Sequence, residues 1–109
     1  MNFKNLGFKF KYLTKKNPNN ICINIDNKSV SFIEMEKLSN QIANYFINEK
    51  FKSNDNICLQ LPKSLFAYAA IIACLKLGIS YTYLDRFSPI NRTDKILKSI
   101  SPKAIISEK

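Results

Sequence analysis

The chain has 109 residues, of which 46% are hydrophobic and 23% charged, so its composition is that of one small folded domain and excludes a disordered protein. Its formal net charge is +9, but the lysines are scattered, and lysine, isoleucine and asparagine, whose codons are rich in A and T, make up 43 residues. Base composition therefore explains the charge better than a nucleic-acid partner does, and we expect no such partner. The longest apolar run, residues 65–77, is too short to span a bilayer, so we expect no membrane partner either.

The first third of the chain predicts a short N-terminal segment and a β-hairpin. Residues 1–20 are predicted to form either a short amphipathic helix or an extended arm, which ends in an Asn-Pro-Asn-Asn turn. Ile21–Ile25 has the composition of a strand. Residues 26–28 then predict a hairpin turn, and residues 29–32 its short returning strand.

An amphipathic helix is predicted after the hairpin. Ser31 and Glu34 have the spacing of a capping box, in which each residue binds the backbone N–H of the other. Five apolar residues follow at helical spacing: Met35, Leu38, Ile42, Tyr45 and Phe46. The polar residues fall elsewhere on the helical wheel, so we interpret the carboxylates, Glu36 among them, as surface residues and not as a catalytic pair.

The second half of the chain alternates predicted strands and helices. A turn around Asn54, which we expect in the left-handed conformation, precedes a buried strand at residues 57–61. Ser64 is the predicted N-cap of an almost wholly apolar helix over residues 65–77, and Gly78 its left-handed stop. Three further elements are predicted: a central strand at residues 79–84, a helix at residues 89–100, and a last strand at residues 104–107.

This alternation places the chain in the α/β class, with a mostly parallel sheet joined by right-handed crossovers. In such sheets ligands bind at the carboxyl ends of the strands, and Asp85 would lie at that end of the strand that also carries Tyr81. The last strand is expected to need neighbours that the 109 residues do not supply.

The cysteines and the absence of histidine exclude other kinds of site. Cys22, Cys58 and Cys74 lie in apolar segments and form no Cys-x-x-Cys pair, and the chain has no histidine that could bind a metal ion or activate a thiol beside them. A zinc site and a Cys–His nucleophile are therefore excluded, and we predict three small buried thiols in a reducing compartment. The lysine-rich N-terminus is not followed by the pattern of a signal peptide, so we expect the protein in the cytoplasm.

Three stretches resemble the core motifs of one enzyme family. Residues 30–35 (VSFIEM), followed by residues 38–43 (LSNQIA), are similar to the first core motif of the AMP-forming adenylating enzymes. Asn54-Asp55 stands where that family usually has Gly-Asp, and residues 75–85 (LKLGISYTYLD) resemble its second core motif. The Leu-Asp ending favours the amino-acid-activating branch, which includes domains of nonribosomal peptide synthetases and D-alanine–carrier-protein ligases.

The resemblance implies a partial three-layer αβα sandwich, the N-terminal segment of the large subdomain of such enzymes. We place this segment at residues 21–109 and the N-terminal arm or helix at residues 1–20. The reaction that the resemblance implies is attack of a carboxylate on the α-phosphate of ATP, with magnesium, followed by transfer of the acyl group to a thiol of a carrier arm or of coenzyme A.

The sequence itself assigns no catalytic, cofactor-binding or metal-binding residue. It contains two glycines, Gly7 and Gly78, and hence no glycine-rich phosphate loop. For Tyr81 and Asp85 we favour packing and a helix-entry turn over a supporting role in catalysis.

We therefore predict a fragment of a carboxylate-activating ligase that is inactive alone. The alternative is a non-catalytic interaction module, whose free strand edge binds a carrier protein or a complementary fragment of the enzyme.

Overall fold

A computed structural model describes residues 6–25, 27–84, 98 and 102–107, and within them it has three helices and five strands. Their bounds, in chain order, are α1 Leu6–Lys16, β1 Ile21–Ile25, β2 Lys28–Ser31, α2 Phe32–Asn48, β3 Asn56–Gln60, α3 Leu65–Leu77, β4 Ser80–Leu84 and β5 Ala104–Ser107. Of the two alternatives for the first twenty residues, the structure shows a helix. The helix predicted at residues 89–100 lies, except for Lys98, outside the described residues.

The hairpin of β1 and β2 forms a small antiparallel sheet of its own. Ile25 pairs with Lys28, so two residues connect the strands, and one of them, Asn27, has a φ of 63°. The capping box then starts α2: Ser31 Oγ accepts from the Glu34 N–H at 3.2 Å, and the Glu34 carboxylate accepts from the Ser31 N–H at 3.1 Å. The chain therefore passes from strand to helix without an intervening loop.

Strand β3 lies in the middle of a three-stranded parallel sheet with the order β4-β3-β5. Asn56 pairs with Ser80 of β4, and Ile57 pairs with both Tyr81 of β4 and Ala104 of β5. This arrangement confirms the α/β class. The prediction that residues 79–84 form the central strand is wrong for the described sheet, in which β4 is an edge strand, because an aromatic and β-branched composition suits an edge as well as a centre.

The turns on either side of α3 have the predicted backbone conformations. Ser64 Oγ caps the helix by accepting from the Ala67 N–H at 3.2 Å. At the other end Gly78 has a φ of 71°, and its N–H donates to the Cys74 carbonyl. Asn54 also has a positive φ, 77°, and its N–H donates to the Gly78 carbonyl, so the two left-handed turns are joined to each other.

The core lies between α2, α3 and the sheet. Helix α2 contributes large side chains, of which Met35 and Phe46 are each 1% exposed. Helix α3 presents small ones, which have no exposed surface: Ala69, Ala70, Ala73 and Cys74. Large residues facing small ones let the two helices approach closely and leave few voids. Tyr45 departs from its predicted place on the apolar face, since it is 53% exposed.

A polar cluster around Lys76 joins the three helices. The Lys76 ammonium forms an ion pair with Glu36 and donates to Ser39 Oγ at 2.9 Å and to Asn40 Oδ1 at 2.8 Å. It also lies 5.5 Å from the centre of the Phe10 ring on α1. The expectation that Glu36 is a surface residue is wrong, because its side chain is 14% exposed and is bound to α3.

Replacing Gly78 by alanine is expected to destabilise the fold by about 1–2 kcal/mol, because an L-residue is strained at positive φ. A new Cβ would meet the Ser53 Cβ at 3.5 Å, which is an ordinary contact, so backbone strain and not collision sets the cost. Urea unfolding monitored by circular dichroism measures the change. Asn44→Ala, at an exposed site of α2, is the control and should leave stability unchanged or slightly raised; an equal loss in both variants would contradict the argument.

Lys76→Met is expected to lower the free energy of unfolding by about 1–3 kcal/mol, because it leaves the mostly buried Glu36 carboxylate without its cation. The double variant Lys76→Met/Glu36→Gln should recover part of that loss, since it removes the unpaired charge. Urea unfolding of the two single variants and the double variant gives the coupling between the residues. Additive effects would show that the ion pair contributes nothing beyond its separate side chains.

Candidate functional site

The carboxyl edge of the parallel sheet is the position at which α/β proteins bind ligands. In this chain it is formed by the ends of β3, β4 and β5 and by the segment that leads from Leu61 to the start of α3. Tyr83 Oη donates to the Leu61 carbonyl at 2.6 Å and so fastens that segment to β4. Asp85, the acidic residue predicted here, lies outside the described residues.

Tyrosines line a cavity of about 220 Å³ beside β4. Tyr81 and Tyr83 project from the same face of β4, because they are two residues apart on one strand. Tyr68 of α3 and Lys63 complete the polar part of the wall. Tyr81 is 36% exposed, so it forms the side of an open cavity and is not part of the closed core.

A larger apolar groove lies between α2, α3 and β5. It has a volume of about 400 Å³, and its lining consists of Leu38, Gln41, Ile42, Tyr45, Phe46, Phe66 and Ile106. Phe66 also lines a neighbouring cavity of about 320 Å³ beside Leu61 and Ser107, so the groove continues to the carboxyl edge. Sequence reasoning missed this groove. The available signal was Phe66, a large side chain on a helix that is apolar on almost every side and must therefore be covered on more than one face.

The paired charges lie at the opposite, amino edge of the sheet. Asp55, which precedes β3, accepts from the Lys52 N–H at 2.6 Å and from Lys103 Nζ at 3.2 Å. The hydrogen bond from Lys52 and then that from Lys103 lower the pKa of the Asp55 carboxyl. Lys103, which precedes β5, also donates its backbone N–H to the Asn56 carbonyl at 2.7 Å. These charges hold the starts of two strands together and do not face the carboxyl edge.

The described residues offer no metal site and no activated thiol. Across residues 6–25, 27–84, 98 and 102–107, no group of three acidic, cysteine or histidine side chains is placed to hold a metal ion. All three cysteines are free thiols; Cys58 and Cys74 are buried as predicted, whereas Cys22 is half-buried. Burial raises the pKa of each thiol, that of Cys74 to about 12, so they remain protonated and weakly nucleophilic at neutral pH.

Comparison with known proteins assigns the fold and the motifs to a family. The sequence model of the family described as AMP-binding enzyme matches residues 10–109, which is most of the chain. The chain belongs to this family. The match includes the capping-box segment, the turn at Asn54 and the strand β4, and it confirms the resemblance that the motifs indicate.

The relatives of this AMP-binding family member include nonribosomal peptide synthetases. Malpibaldin synthetase of Mortierella alpina is 27% identical over 99 residues, which are 91% of this chain and 2% of that protein. Gramicidin S synthase 1 of Brevibacillus brevis is 27% identical over 100 residues, 92% of this chain and 9% of that protein. The chain thus spans a small part of the length of the curated relatives it matches.

Solved structures share the fold closely. Klebsiella oxytoca NpsA, in a complex with 3-hydroxyanthranilyl-AMSN, superposes with a TM-score of 0.94 at 17% identity over 99% of this chain and 22% of its own. The N-terminal subdomain of NpsA superposes with a TM-score of 0.91 over 98% of this chain and 28% of that subdomain. NpsA has also been solved as an artificially fused adenylation–PCP di-domain, with a TM-score of 0.93. These likenesses confirm that the chain has the fold of the first part of such a subdomain.

Within the described ranges, no helix of the chain combines the length and the apolar character that crossing a membrane requires. The division of the chain at residue 21, the expected absence of a nucleic-acid partner and the role of Tyr81 stay predictions.

Asp55→Asn is expected to lower stability at neutral pH and to have little effect in acid. The folded pKa is depressed, so the carboxylate stabilises the fold above its unfolded pKa of about 3.9, and this contribution is lost as the pH falls through the lower folded value. Urea unfolding at pH 7, 4 and 3 should show the difference between wild type and variant shrinking toward pH 3. Glu49→Gln removes the same charge at an exposed position and controls for net charge. A difference independent of pH would refute the assignment to Asp55.

Proposed function

We propose that this chain is the N-terminal scaffold of an amino-acid-activating adenylating enzyme and is inactive alone. The observation that carries the proposal is the superposition on NpsA, at a TM-score of 0.94 over almost the whole chain but 22% of NpsA. The scaffold supplies β3, β4 and β5 with their covering helices, and the carboxyl edge of its sheet forms one wall of the ligand-binding site in the completed enzyme.

In the completed enzyme, the carboxylate oxygen of an amino acid attacks the α-phosphorus of ATP. The new bond joins that oxygen to phosphorus, the bond to the bridging oxygen breaks, and pyrophosphate leaves with its electron pair. A thiolate of a carrier protein or of coenzyme A then takes the acyl group and releases AMP. Charge accumulates on the phosphate oxygens, so the reaction needs cations and N–H donors around them.

The described residues support the proposal that the chain alone lacks this activity. At the carboxyl edge they present tyrosines, serines and the exposed Lys63, whereas the ion pairs of Lys76 and Lys103 lie at the other side of the sheet. The chain has no histidine and no glycine-rich loop, and we assign no magnesium ligand to any described residue. ATP and magnesium are bound by the completed enzyme, which we place in the cytoplasm.

A second candidate function is a non-catalytic interaction module. The groove and the outer edge of β5 favour it, because both are surfaces that another polypeptide can cover. In this case the chain binds a carrier protein or a complementary enzyme fragment, and no adenylation follows.

ATP–pyrophosphate exchange separates the two functions. The pure 109-residue chain, given ATP, magnesium and each proteinogenic amino acid, should show background exchange, with the complete adenylation domain of gramicidin S synthase 1 as the positive control. Exchange by the chain alone would overturn its assignment as an inactive scaffold. When the chain is combined with a polypeptide that completes the domain, exchange should depend on one amino acid; a stable complex without exchange would favour the interaction module.

A further inference from the structure

Helix α1 presents a cationic outer face. The helix contains no acidic residue, and four exposed lysines surround one tyrosine: Lys9, Lys11, Lys15 and Lys16 around Tyr12. At about 3.6 residues per turn, Lys11 and Lys15 lie on one side of Tyr12, and Lys9 and Lys16 lie on the other. These five residues form what we call the basic face of α1.

The opposite face of α1 is fixed to the core of the protein. Thr14 is 4% exposed. The centre of the Phe10 ring lies 5.7 Å from that of Phe32 and 5.5 Å from the Lys76 ammonium. Phe10 and Thr14 are four residues apart and therefore share one side of the helix, which is the side opposite Tyr12. This packing holds the basic face outward, away from α2 and α3.

The positive charges of the basic face are not compensated within the described part of the chain. Across residues 6–25, 27–84, 98 and 102–107, no carboxylate forms an ion pair with any of its four lysines. Lys16 donates to Tyr12 Oη at 3.4 Å, a contact that brings no negative charge. Lys11 and Lys15 are four residues apart on a helix, where like charges repel each other. An acidic partner would relieve this repulsion.

The distribution of charge along the chain separates this helix from the rest. Base composition explains a high lysine content throughout the chain, but it does not explain where acidic residues are missing. Residues 1–25 contain five lysines and no acidic residue, so more than half of the formal net charge of +9 lies in less than a quarter of the chain. Such an asymmetry is typical of a surface that attracts an anionic partner.

The form of the basic face favours an acidic helix over a membrane or a nucleic acid. A helix that binds a bilayer inserts its apolar side, whereas Phe10 is already packed against the core. The chain also has no continuous basic run that could follow a phosphate backbone. Lys11 and Lys15 are separated by about 6 Å along the helix axis, which equals the separation of two glutamates four residues apart on a second helix.

We propose that the basic face of α1 is a docking surface for an acidic helix of a partner protein. The carboxylates of that helix pair with lysines on both sides of Tyr12, whose ring packs against the stems of the acidic side chains. On the other side of α1, Phe10 adjoins Lys76 in the last turn of α3, whereas the carboxyl edge of the sheet adjoins the first turn. A partner bound to α1 therefore leaves the carboxyl edge open.

Fluorescence anisotropy of a labelled acidic peptide tests this docking surface. The probe is a designed helix of about 20 residues, long enough to be helical alone, with alanines and with glutamates four residues apart. The full 109-residue chain should bind it at low salt. The quadruple variant Lys9→Gln/Lys11→Gln/Lys15→Gln/Lys16→Gln keeps the helix propensity of α1 and should weaken binding by about tenfold or more.

The matched control replaces four exposed lysines outside α1 by glutamine: Lys28, Lys37, Lys50 and Lys52. Both quadruple variants have the same net charge, so the control should lose much less affinity if binding is specific to α1. A second probe of equal length and charge carries two prolines in its middle, which prevent a continuous helix. This probe should bind the wild-type chain about tenfold more weakly.

Nuclear magnetic resonance supplies a measurement that does not depend on the variants. On addition of the helical peptide, the amide signals of the wild-type chain that shift most should be those of residues 9–16. Circular dichroism and urea midpoints show whether each variant is folded. All the substituted lysines are exposed, so we expect midpoints close to that of the wild type.

Four outcomes would overturn the docking surface: no binding by the wild type at low salt, an equal loss in both quadruple variants, equal affinity for the two peptides, or signal shifts centred outside α1. Tighter binding of a DNA duplex or of phosphatidylserine vesicles through the same four lysines would assign the basic face to a different anion and would also refute the proposal. None of these measurements depends on adenylation, so the result is independent of the proposed function.

Discussion

Strand β3 is buried on both faces and paired on both edges, and the described part of the chain is arranged around this strand. Ile57, Cys58 and Leu59 have no exposed surface, so water cannot satisfy their backbone groups. The parallel ladders to β4 and β5 supply the missing partners. Because those two strands must lie alongside β3 in fixed register, their carboxyl ends meet at one edge, and the segment after Leu61 is held there by Tyr83.

Local stereochemistry made much of this fold predictable from the sequence. The capping box of Ser31 and Glu34, the cap at Ser64 and the left-handed residues Asn54 and Gly78 each depend on a few neighbouring residues, and all are found as predicted. These signals fix where helices start and stop because they satisfy backbone groups within one turn.

What could not be predicted depends on residues far apart in the chain. The order of the strands is decided by pairing and not by the composition of β4. The ion pair of Glu36 with Lys76 joins two helices. The periodicity of each helix predicts which face a residue lies on, but it does not predict which residue of another helix that face contacts. The position of the candidate site at the carboxyl edge was predictable from the sequence. The residues that line the groove were not, because α2, α3 and β5 form it together. The paired charges thus lie at the amino edge of the sheet, whereas the open cavities of the candidate site lie at its carboxyl edge and along the groove.

The two ladders of β3 close stretches of chain of different length, and this difference affects the order in which the strands pair. Ile57 reaches Tyr81 through a single helix, whereas its pairing with Ala104 closes about twice as long a stretch of chain. The entropic cost of closure therefore favours formation of the β3-α3-β4 unit first, with β5 added to an existing template. Since α3 and β4 also leave the ribosome before β5, the order of folding coincides with the order of synthesis. The sheet then grows one strand at a time, and each new strand pairs with an edge that is already formed.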